Sequence, residues 1–176
     1  RVETYDMYAE GDTRRDATCW DVRGVTYTER YQDTHIWLAK YRPFTENNKD
    51  AGFDNNLNYN NNYRYYRYAE TLLNAAELSV RTGGGNAATY LNEVRTRAGL
   101  GNIDATIDNI IEERHLEFVG EGKRYWDLVR SGKAASVLVP DQYGYRTNAW
   151  TESKKYIPIA QAEIDAAQGT LVQNNY

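Results

Sequence analysis

The charged side chains with the greatest catalytic potential are concentrated between residues 112 and 130. They are Glu112, Glu113, Arg114, Glu117, Glu121, Lys123, Arg124, Asp127 and Arg130. Glu113 and Glu117 are one helical turn apart, which places both carboxylates on the same face of a helix. A pair of carboxylates is the machinery with which most glycosidases cleave their substrates. A glycoside hydrolase that uses Glu113 and Glu117 is therefore one hypothesis for this chain.

The cations interleaved among these acids favour a different role. Arg114 precedes Glu117 by three residues and Asp127 precedes Arg130 by three, which is contact spacing on a helix. A neighbouring cation lowers the pKa of a carboxyl group, whereas a general acid needs a raised one. The sequence therefore predicts no catalytic residue and, instead, a structural ion-pair network. Its predicted members are Glu113, Arg114, Glu117, Arg124, Asp127 and Arg130.

The sequence predicts no metal centre and no cofactor. Glu112 and His115 form a Glu-x-x-His pattern, but a di-iron bundle needs that pattern twice. His35, His115 and Cys19 do not have the spacing of zinc ligands. With only two histidines in the chain, and no recognisable nucleophile turn around a serine, nucleophilic catalysis is not expected either.

One run resembles the start of a calcium loop. Asp54, Asn56 and Asn58 alternate as in an EF-hand, but Tyr59 replaces the glycine and Tyr65 replaces the closing glutamate. The bidentate ligand of an EF-hand is therefore missing. Calcium binding through a looser cage of oxygen atoms is left open.

Aromatic residues form the second candidate chemistry, with 16 Tyr and 4 Trp against 3 Phe. Tyr and Trp combine an apolar face with a polar tip, so they can stack on a sugar ring while Asn, Asp and Arg bind its hydroxyls. Tyr125 and Trp126 have a helical spacing that indicates a core position instead. The predicted ligand-binding residues lie in loops or at strand ends: Trp20, Tyr27, Trp37, Tyr143, Tyr145 and Trp150.

Composition excludes other classes of function. The 176 residues carry a net charge of −4, which argues against a nucleic-acid partner. The mean hydropathy is −0.80, and no stretch approaches the apolar length of a membrane span. The single cysteine, Cys19, cannot form a disulfide within the chain. The chain starts at Arg1, so any targeting segment is expected to have been removed or to lie upstream.

The chain is predicted to contain three segments. They are an irregular lobe of strands and loops at 1–62, a helical core at 63–138, and an aromatic loop, a short extended segment and a C-terminal tail at 139–176. In the first segment, strands are predicted within 17–22, 25–31 and 36–41, followed by an Asn-rich loop at 46–62. The fold class is mainly α, with some β structure.

Apolar periodicity predicts a helical hairpin in the central segment. One helix covers the run from about Tyr65 to Val80 and ends at Gly83, and a second, capped by Asn86, ends near Gly99. The pair has the form of a tetratricopeptide-type unit. Further helices are predicted after Thr106, around residues 125–129, and at 161–167.

Several blocks together resemble the C-terminal region of SusD/RagB proteins. These blocks are RYAETLLNAAEL, LNEVRTRAGL, IIEERHLEFVGEGKRYWDLVRSGK, YIPIAQAEIDAA and QNNY, preceded by GDTRRDAT. The resemblance implies a mainly helical fold with tetratricopeptide-like pairs and an irregular lobe. It also implies a non-catalytic lipoprotein at the surface of the outer membrane. Such a protein delivers oligosaccharide, or peptide, to a SusC-like TonB-dependent transporter.

Proteins of that family are much longer than this chain, so the N-terminal part is expected to be missing here, together with the lipid anchor. The resemblance places the charged run in a structural helix. A helical protein-interaction scaffold and a glycosidase remain alternative hypotheses.

Overall fold

The computed structural model describes residues 2–42 and 62–174. The elements are α1 (Val2–Asp6), α2 (Arg14–Thr18), β1 (Cys19–Asp21), β2 (Ile36–Leu38), α3 (Tyr68–Thr82), α4 (Ala87–Arg97), α5 (Ile107–Glu117), α6 (Arg124–Arg130), α7 (Ala134–Val137), a 3₁₀ helix (Glu152–Lys155) and α8 (Gln161–Ala166). The chain divides into two compact units, Arg1–Arg124 and Tyr125–Tyr176. The predicted mainly helical fold is confirmed, whereas the division into three segments stays a prediction.

The helical hairpin is formed by α3 and α4. Gly83 follows α3 with φ of 74°, a left-handed conformation that favours glycine, and its N–H donates to the carbonyl of Ser79. This ends the helix where the sequence predicts. The hairpin buries a core with α5 and the residue that follows it. That core consists of Ala69, Leu72, Leu73, Ala76, Leu91, Val94, Ile110 and Phe118.

The helix α5 begins after Thr106, whose side-chain oxygen accepts a hydrogen bond from the backbone N–H of Asn109 at 3.1 Å. This is the N-cap that the sequence predicts. One face of α5 packs on the hairpin through Ile110. Leu116 belongs to a second buried cluster, formed with Tyr8, Cys19 and Ile36. Through this cluster, α5 supports the irregular lobe as well as the hairpin.

The irregular lobe contains less strand than predicted. β1 and β2 lie within two of the predicted runs and form an antiparallel pair. The prediction of a strand at 25–31 is wrong, because those residues form turns and loop. Two short helices, α1 and α2, were not predicted, because five residues are too few to show helical periodicity. The predicted Asn-rich loop lies almost entirely outside the described residues.

The C-terminal unit consists of short helices joined by loops. The predicted aromatic loop is closed by backbone hydrogen bonds from Trp150 to Leu138 (2.9 Å) and from Asp141 to Arg146 (3.0 Å). Farther along, the side-chain amide of Gln173 bonds both the N–H and the carbonyl of Ile159, each at 2.9 Å. None of the helices in the described ranges combines the length and apolar character needed to cross a bilayer.

Candidate functional site

Three of the six predicted ligand-binding residues lie together on the outer face of the two-stranded sheet. Trp20 of β1 pairs directly with Trp37 of β2, and their ring centroids are 5.5 Å apart at an interplanar angle of 89°. Tyr27 packs edge-on against Trp37 at 4.9 Å. Each indole is 37% exposed. We call Trp20, Tyr27 and Trp37 the aromatic platform.

Polar groups surround the platform and fix its geometry. The Asp33 carboxylate accepts hydrogen bonds from the indole N–H of Trp37 (3.1 Å) and from the backbone N–H of His35 (2.8 Å). The second bond closes a side-chain turn that holds His35 at φ of 60°. The Tyr27 hydroxyl lies 2.7 Å from Nδ1 of His35. Trp37 and Tyr27 are therefore fixed by hydrogen bonds as well as by ring packing.

Charge is also placed at the platform. The guanidinium of Arg42 lies 4.4 Å from the centre of the Trp20 ring, in a cation–π contact. The backbone N–H of His35 and, to a lesser extent, the indole of Trp37 lower the pKa of Asp33, so its carboxylate stays ionised at neutral pH. An exposed aromatic surface bordered by an acceptor and a guanidinium suits a ring with an apolar face and hydroxyl edges.

The other three predicted residues belong to the C-terminal unit. The Asp141 carboxylate accepts from the backbone N–H groups of Tyr143 and Tyr145, both at 3.0 Å, and the two rings are 5.9 Å apart. The indole N–H of Trp150 donates to the Tyr125 hydroxyl at 3.2 Å. These contacts connect residues within the loop and join Trp150 to Tyr125, and Tyr143 is the most exposed ring of the loop.

Trp126 corrects one expectation. Its helical spacing predicts a core position, but its side chain is 46% exposed and its ring packs edge-on against Tyr125 at 5.0 Å. Asp127 and Leu128 occupy the buried face of α6 instead. In so short a helix the apolar pattern does not define which face is buried.

Glu117 lies at the centre of a buried charge network. Its carboxylate is 3.1 Å from Arg14, 2.8 Å from Arg67 and 2.5 Å from Arg97. Burial raises the pKa of Glu117, but the hydrogen bonds from Arg97 and Arg67 outweigh burial, so the pKa lies below its ordinary value. A carboxyl group in this environment stays ionised and cannot act as a general acid at neutral pH.

Glu113 and Glu121 extend the network on either side. Glu113 pairs with Arg14 at 2.5 Å and with Arg95 at 2.8 Å. Glu121 pairs with Arg67 at 2.8 Å and with Lys40 at 2.5 Å. Arg14 also binds Asp12 at 2.7 Å. The side chains of Glu113 and Glu117 are each only 2% exposed, so cations and not solvent surround both acids.

The remaining predicted members of the network have other contacts. Arg114 donates to the side-chain oxygen of Asn74 at 2.7 Å and lies 3.9 Å from Glu70. Arg124 donates to the carbonyl of Ile111 at 3.3 Å. Asp127 and Arg130, predicted to be at contact spacing, are joined at 2.9 Å.

The residues considered for metal binding are dispersed. Glu112 is exposed, whereas His115 is largely buried and its Nδ1 has no hydrogen-bond partner among the described residues. Burial lowers the pKa of His115 to about 4. Within the described ranges, no three His, Cys, Asp or Glu side chains come together as metal ligands. Asp54, Asn56 and Asn58 lie outside those ranges.

Sequence reasoning missed several residues of both sites. At the platform these are Asp33, His35 and Arg42. In the charge network they are Asp12, Arg14, Lys40, Arg67, Arg95, Arg97 and Glu121, of which only Glu121 lies in the charged run of the sequence. Asp33 had a weak signal, since Asp is one of the residue types that close side-chain turns in loops. The distant arginines carry no such local signal.

The helical hairpin with its irregular lobe and buried Arg–Glu network defines a known class of protein. The model described as the SusD family matches residues 2–176, and the chain belongs to that family. The SusD-like protein P2 of Formosa agariphila is 31% identical over 184 aligned residues, which cover 93% of this chain and 35% of that protein.

Solved structures give closer similarities. Surface glycan-binding protein A from Bacteroides thetaiotaomicron, solved in complex with laminarihexaose, is 63% identical with a TM-score of 0.92, over 100% of this chain and 41% of that one. A laminarin binding SusD-like protein is 35% identical with a TM-score of 0.81, over 99% of this chain and 37% of that one. The chain thus spans well under half the length of the proteins it matches.

Proposed function

We propose that this chain is the C-terminal part of a non-catalytic surface glycan-binding protein, and that its aromatic platform contacts a laminarin-type oligosaccharide. The observation that carries the proposal is the platform itself. Trp20 and Trp37 expose aromatic surface on one face of a small sheet, while Tyr27 and Asp33 hold the second indole in place. The proposal also draws on the relatives that are named for glycan or laminarin binding.

The geometry suits a saccharide. The two indoles are nearly perpendicular, so together they present aromatic surface in two directions. The Asp33 carboxylate accepts hydrogen bonds and the Arg42 guanidinium donates them, which are the two functions that sugar hydroxyls need. Because hydrogen bonds and packing already fix the platform, binding would cost little side-chain entropy.

The similarity to the two glycan-binding relatives supports the ligand class. One of them, 63% identical to this chain, has been solved with laminarihexaose. Another, 35% identical, is named for laminarin. Since the chain covers only part of each, these names support a proposal for the whole protein, to which residues outside this chain would contribute.

The buried carboxylates support binding without turnover. A glycosidase needs its two carboxyl groups open to the substrate, one of them with a raised pKa. Glu113 and Glu117 are almost fully buried against arginines, and the pKa of Glu117 is lowered. We therefore assign these acids to the architecture of the fold.

We further propose that the protein lies at the outer membrane as a lipoprotein and delivers its ligand to a SusC-like TonB-dependent transporter. This part of the proposal rests on the family alone. Co-purification of the full-length protein with a channel of that class from solubilised outer membranes tests it. Recovery of the protein without any such channel, under conditions that preserve membrane complexes, would contradict it.

The binding proposal is tested by isothermal titration of the full-length protein with laminarihexaose, with maltohexaose as a control of equal length and different linkage. The expected result is saturable binding of laminarihexaose, no binding of maltohexaose, and no shorter saccharides after prolonged incubation. Appearance of shorter products would overturn the non-catalytic assignment. Preference for maltohexaose, or for a peptide, would overturn the ligand class.

A further inference from the structure

The aromatic platform stands on a sheet that is too small to hold its own shape. Each strand has three residues, and an isolated two-stranded ribbon is marginal in water. Residues alternate between the two faces, so Trp37 faces outward while its neighbours Ile36 and Leu38 face inward. The contacts of that inner face therefore help to determine where the strand that carries Trp37 lies.

The inner face rests on the end of α5. Ile36 and Cys19 are buried together with Leu116 of that helix. At the other end of the strand, Leu38 lies against Gly120, just beyond α5. A Cβ atom at Gly120 would be 2.8 Å from Cδ2 and 3.0 Å from Cδ1 of Leu38, so only glycine fits without displacing that side chain.

A buried ion pair fixes the chain just after β2. The Lys40 ammonium group lies 2.5 Å from the Glu121 carboxylate and donates to the carbonyl of Glu117 at 2.6 Å. Glu121 is held in turn by Arg67, whose guanidinium also lies over the Phe118 ring at 5.0 Å. The turn formed by residues 118–121 is therefore attached both to the helical core and to the strand that carries Trp37.

We propose that Gly120 and Glu121 are positioning residues for saccharide binding, because they set the position of β2 and with it Trp37 of the platform. This inference rests on the proposed function for its ligand. It assigns to the charge network a role in recognition beyond stability: Lys40 and Glu121 act on the ligand through the strand, without touching it.

Glycine substitutions provide the first test. Gly120→Ala and Gly122→Ala both place alanine at a positive φ, 79° and 72°, but a Cβ at Gly122 meets nothing within 4 Å. The two variants therefore introduce similar backbone strain, but only Gly120→Ala introduces a contact with Leu38. Gly120→Ala is expected to weaken laminarihexaose binding by about three- to tenfold, as for loss of one aromatic contact, whereas Gly122→Ala keeps wild-type affinity.

A second substitution that restores binding to Gly120→Ala would distinguish a displaced strand from a general loss of structure. Leu38 is half exposed, so Leu38→Ala removes the atoms that meet the new Cβ at little cost in stability. The double variant Gly120→Ala/Leu38→Ala is expected to bind more tightly than Gly120→Ala alone. Equal affinity of the two, or equal weakening by Gly120→Ala and Gly122→Ala, would overturn the inference.

Lysine substitutions provide the second test. Lys40 and Lys123 are similarly buried and each pairs with a buried glutamate, Glu121 and Glu70 respectively, but only Lys40 follows β2. Lys40→Gln is expected to weaken binding by about three- to tenfold. Lys123→Gln should leave the affinity for laminarihexaose unchanged, even if it lowers the melting temperature as much as Lys40→Gln does. Parallel effects of both substitutions on affinity would argue that the ion pair is only structural.

A spectroscopic measurement separates this inference from the proposed function. The near-UV circular dichroism of the coupled indoles, defined as the signal that Trp37→Phe removes, reports platform geometry without ligand. Gly120→Ala and Lys40→Gln should change that signal, and their controls should not. If wild-type protein fails to bind laminarihexaose, the proposed function fails, while an unchanged signal in both variants would refute the positioning role by itself.

Discussion

Trp20 and Trp37 stand directly opposite each other across an antiparallel pair of strands, with their rings perpendicular at 5.5 Å. Cross-strand aromatic pairs stabilise small sheets, so the same contact that presents two indoles to solvent also holds β1 to β2. Recognition and local stability are therefore coupled at this pair.

Removal of Trp37 tests the platform as a binding surface. Trp37→Ala deletes the ring that contacts both Trp20 and Tyr27, and it is expected to weaken laminarihexaose binding by about 2 kcal/mol, or roughly 30-fold. Titration calorimetry measures the change. Trp126→Ala is the control, because this indole is also exposed but lies in the C-terminal unit. Undiminished affinity in Trp37→Ala would place the saccharide site elsewhere.

Glu117→Gln tests the buried charge network. The substitution removes the charge that Arg14, Arg67 and Arg97 share and is expected to lower the free energy of unfolding by about 3–5 kcal/mol. Urea unfolding followed by circular dichroism gives the value. Glu112→Gln, at an exposed position on the same helix, should change it by less than about 0.5 kcal/mol. Loss of a hydrolytic activity at unchanged stability would instead support a glycosidase.

His115 gives the protein a pH-dependent stability. Burial lowers its pKa from 6.5 to about 4, so below pH 6.5 the unfolded chain takes up a proton that the folded chain resists. Stability therefore falls as the pH falls from 6.5 towards 4, by up to about 3 kcal/mol in total. Unfolding free energies measured at pH 7 and pH 5 should differ by clearly less in His115→Phe than in the wild type. Because the pKa of Glu117 lies below its ordinary value, Glu117 takes up a proton only at a lower pH than this range.

The hairpin core gives a further prediction. Leu73 of α3 is fully buried in the core that α3 forms with α4 and α5. Leu73→Ala is expected to lower the free energy of unfolding by about 2–5 kcal/mol, because a cavity is left behind. Leu78 on the same helix is 62% exposed, and its replacement by alanine should be nearly neutral. Thermal unfolding of both variants measures the contrast, and a similar cost at the two positions would contradict this assignment of the core.

The helical part of the fold could be predicted because its signals are local. Apolar spacing, Thr106 as a cap and Gly83 as a terminator act within a few residues of one another, so α4 and α5 lie where the sequence places them. The helix α3 ends as predicted but begins at Tyr68 and not near Tyr65. Asn86 precedes α4 as predicted, but its side chain makes no capping hydrogen bond. The strand predicted at 25–31 failed because strand propensity does not supply a pairing partner. In that stretch, Tyr27 packs on Trp37 from a loop.

The candidate site was only partly predictable. Trp20, Tyr27 and Trp37 could be selected as aromatic residues near strand ends, but their assembly depends on the register of β1 with β2 and on the turn at Asp33. The sequence could not show which rings stay exposed, as Trp126 demonstrates.

By itself, the sequence determined the helical hairpin, the abundance of Tyr and Trp, and a run of acids interleaved with arginines that indicated ion pairs. Only the tertiary structure determined which basic side chains pair with these acids. Glu117 meets Arg14, Arg67 and Arg97 from 103, 50 and 20 residues away, separations at which no local spacing rule applies. Ion pairs and exposed faces of this kind arise only when distant segments pack together, because burial and the distance between charges are properties of the folded chain.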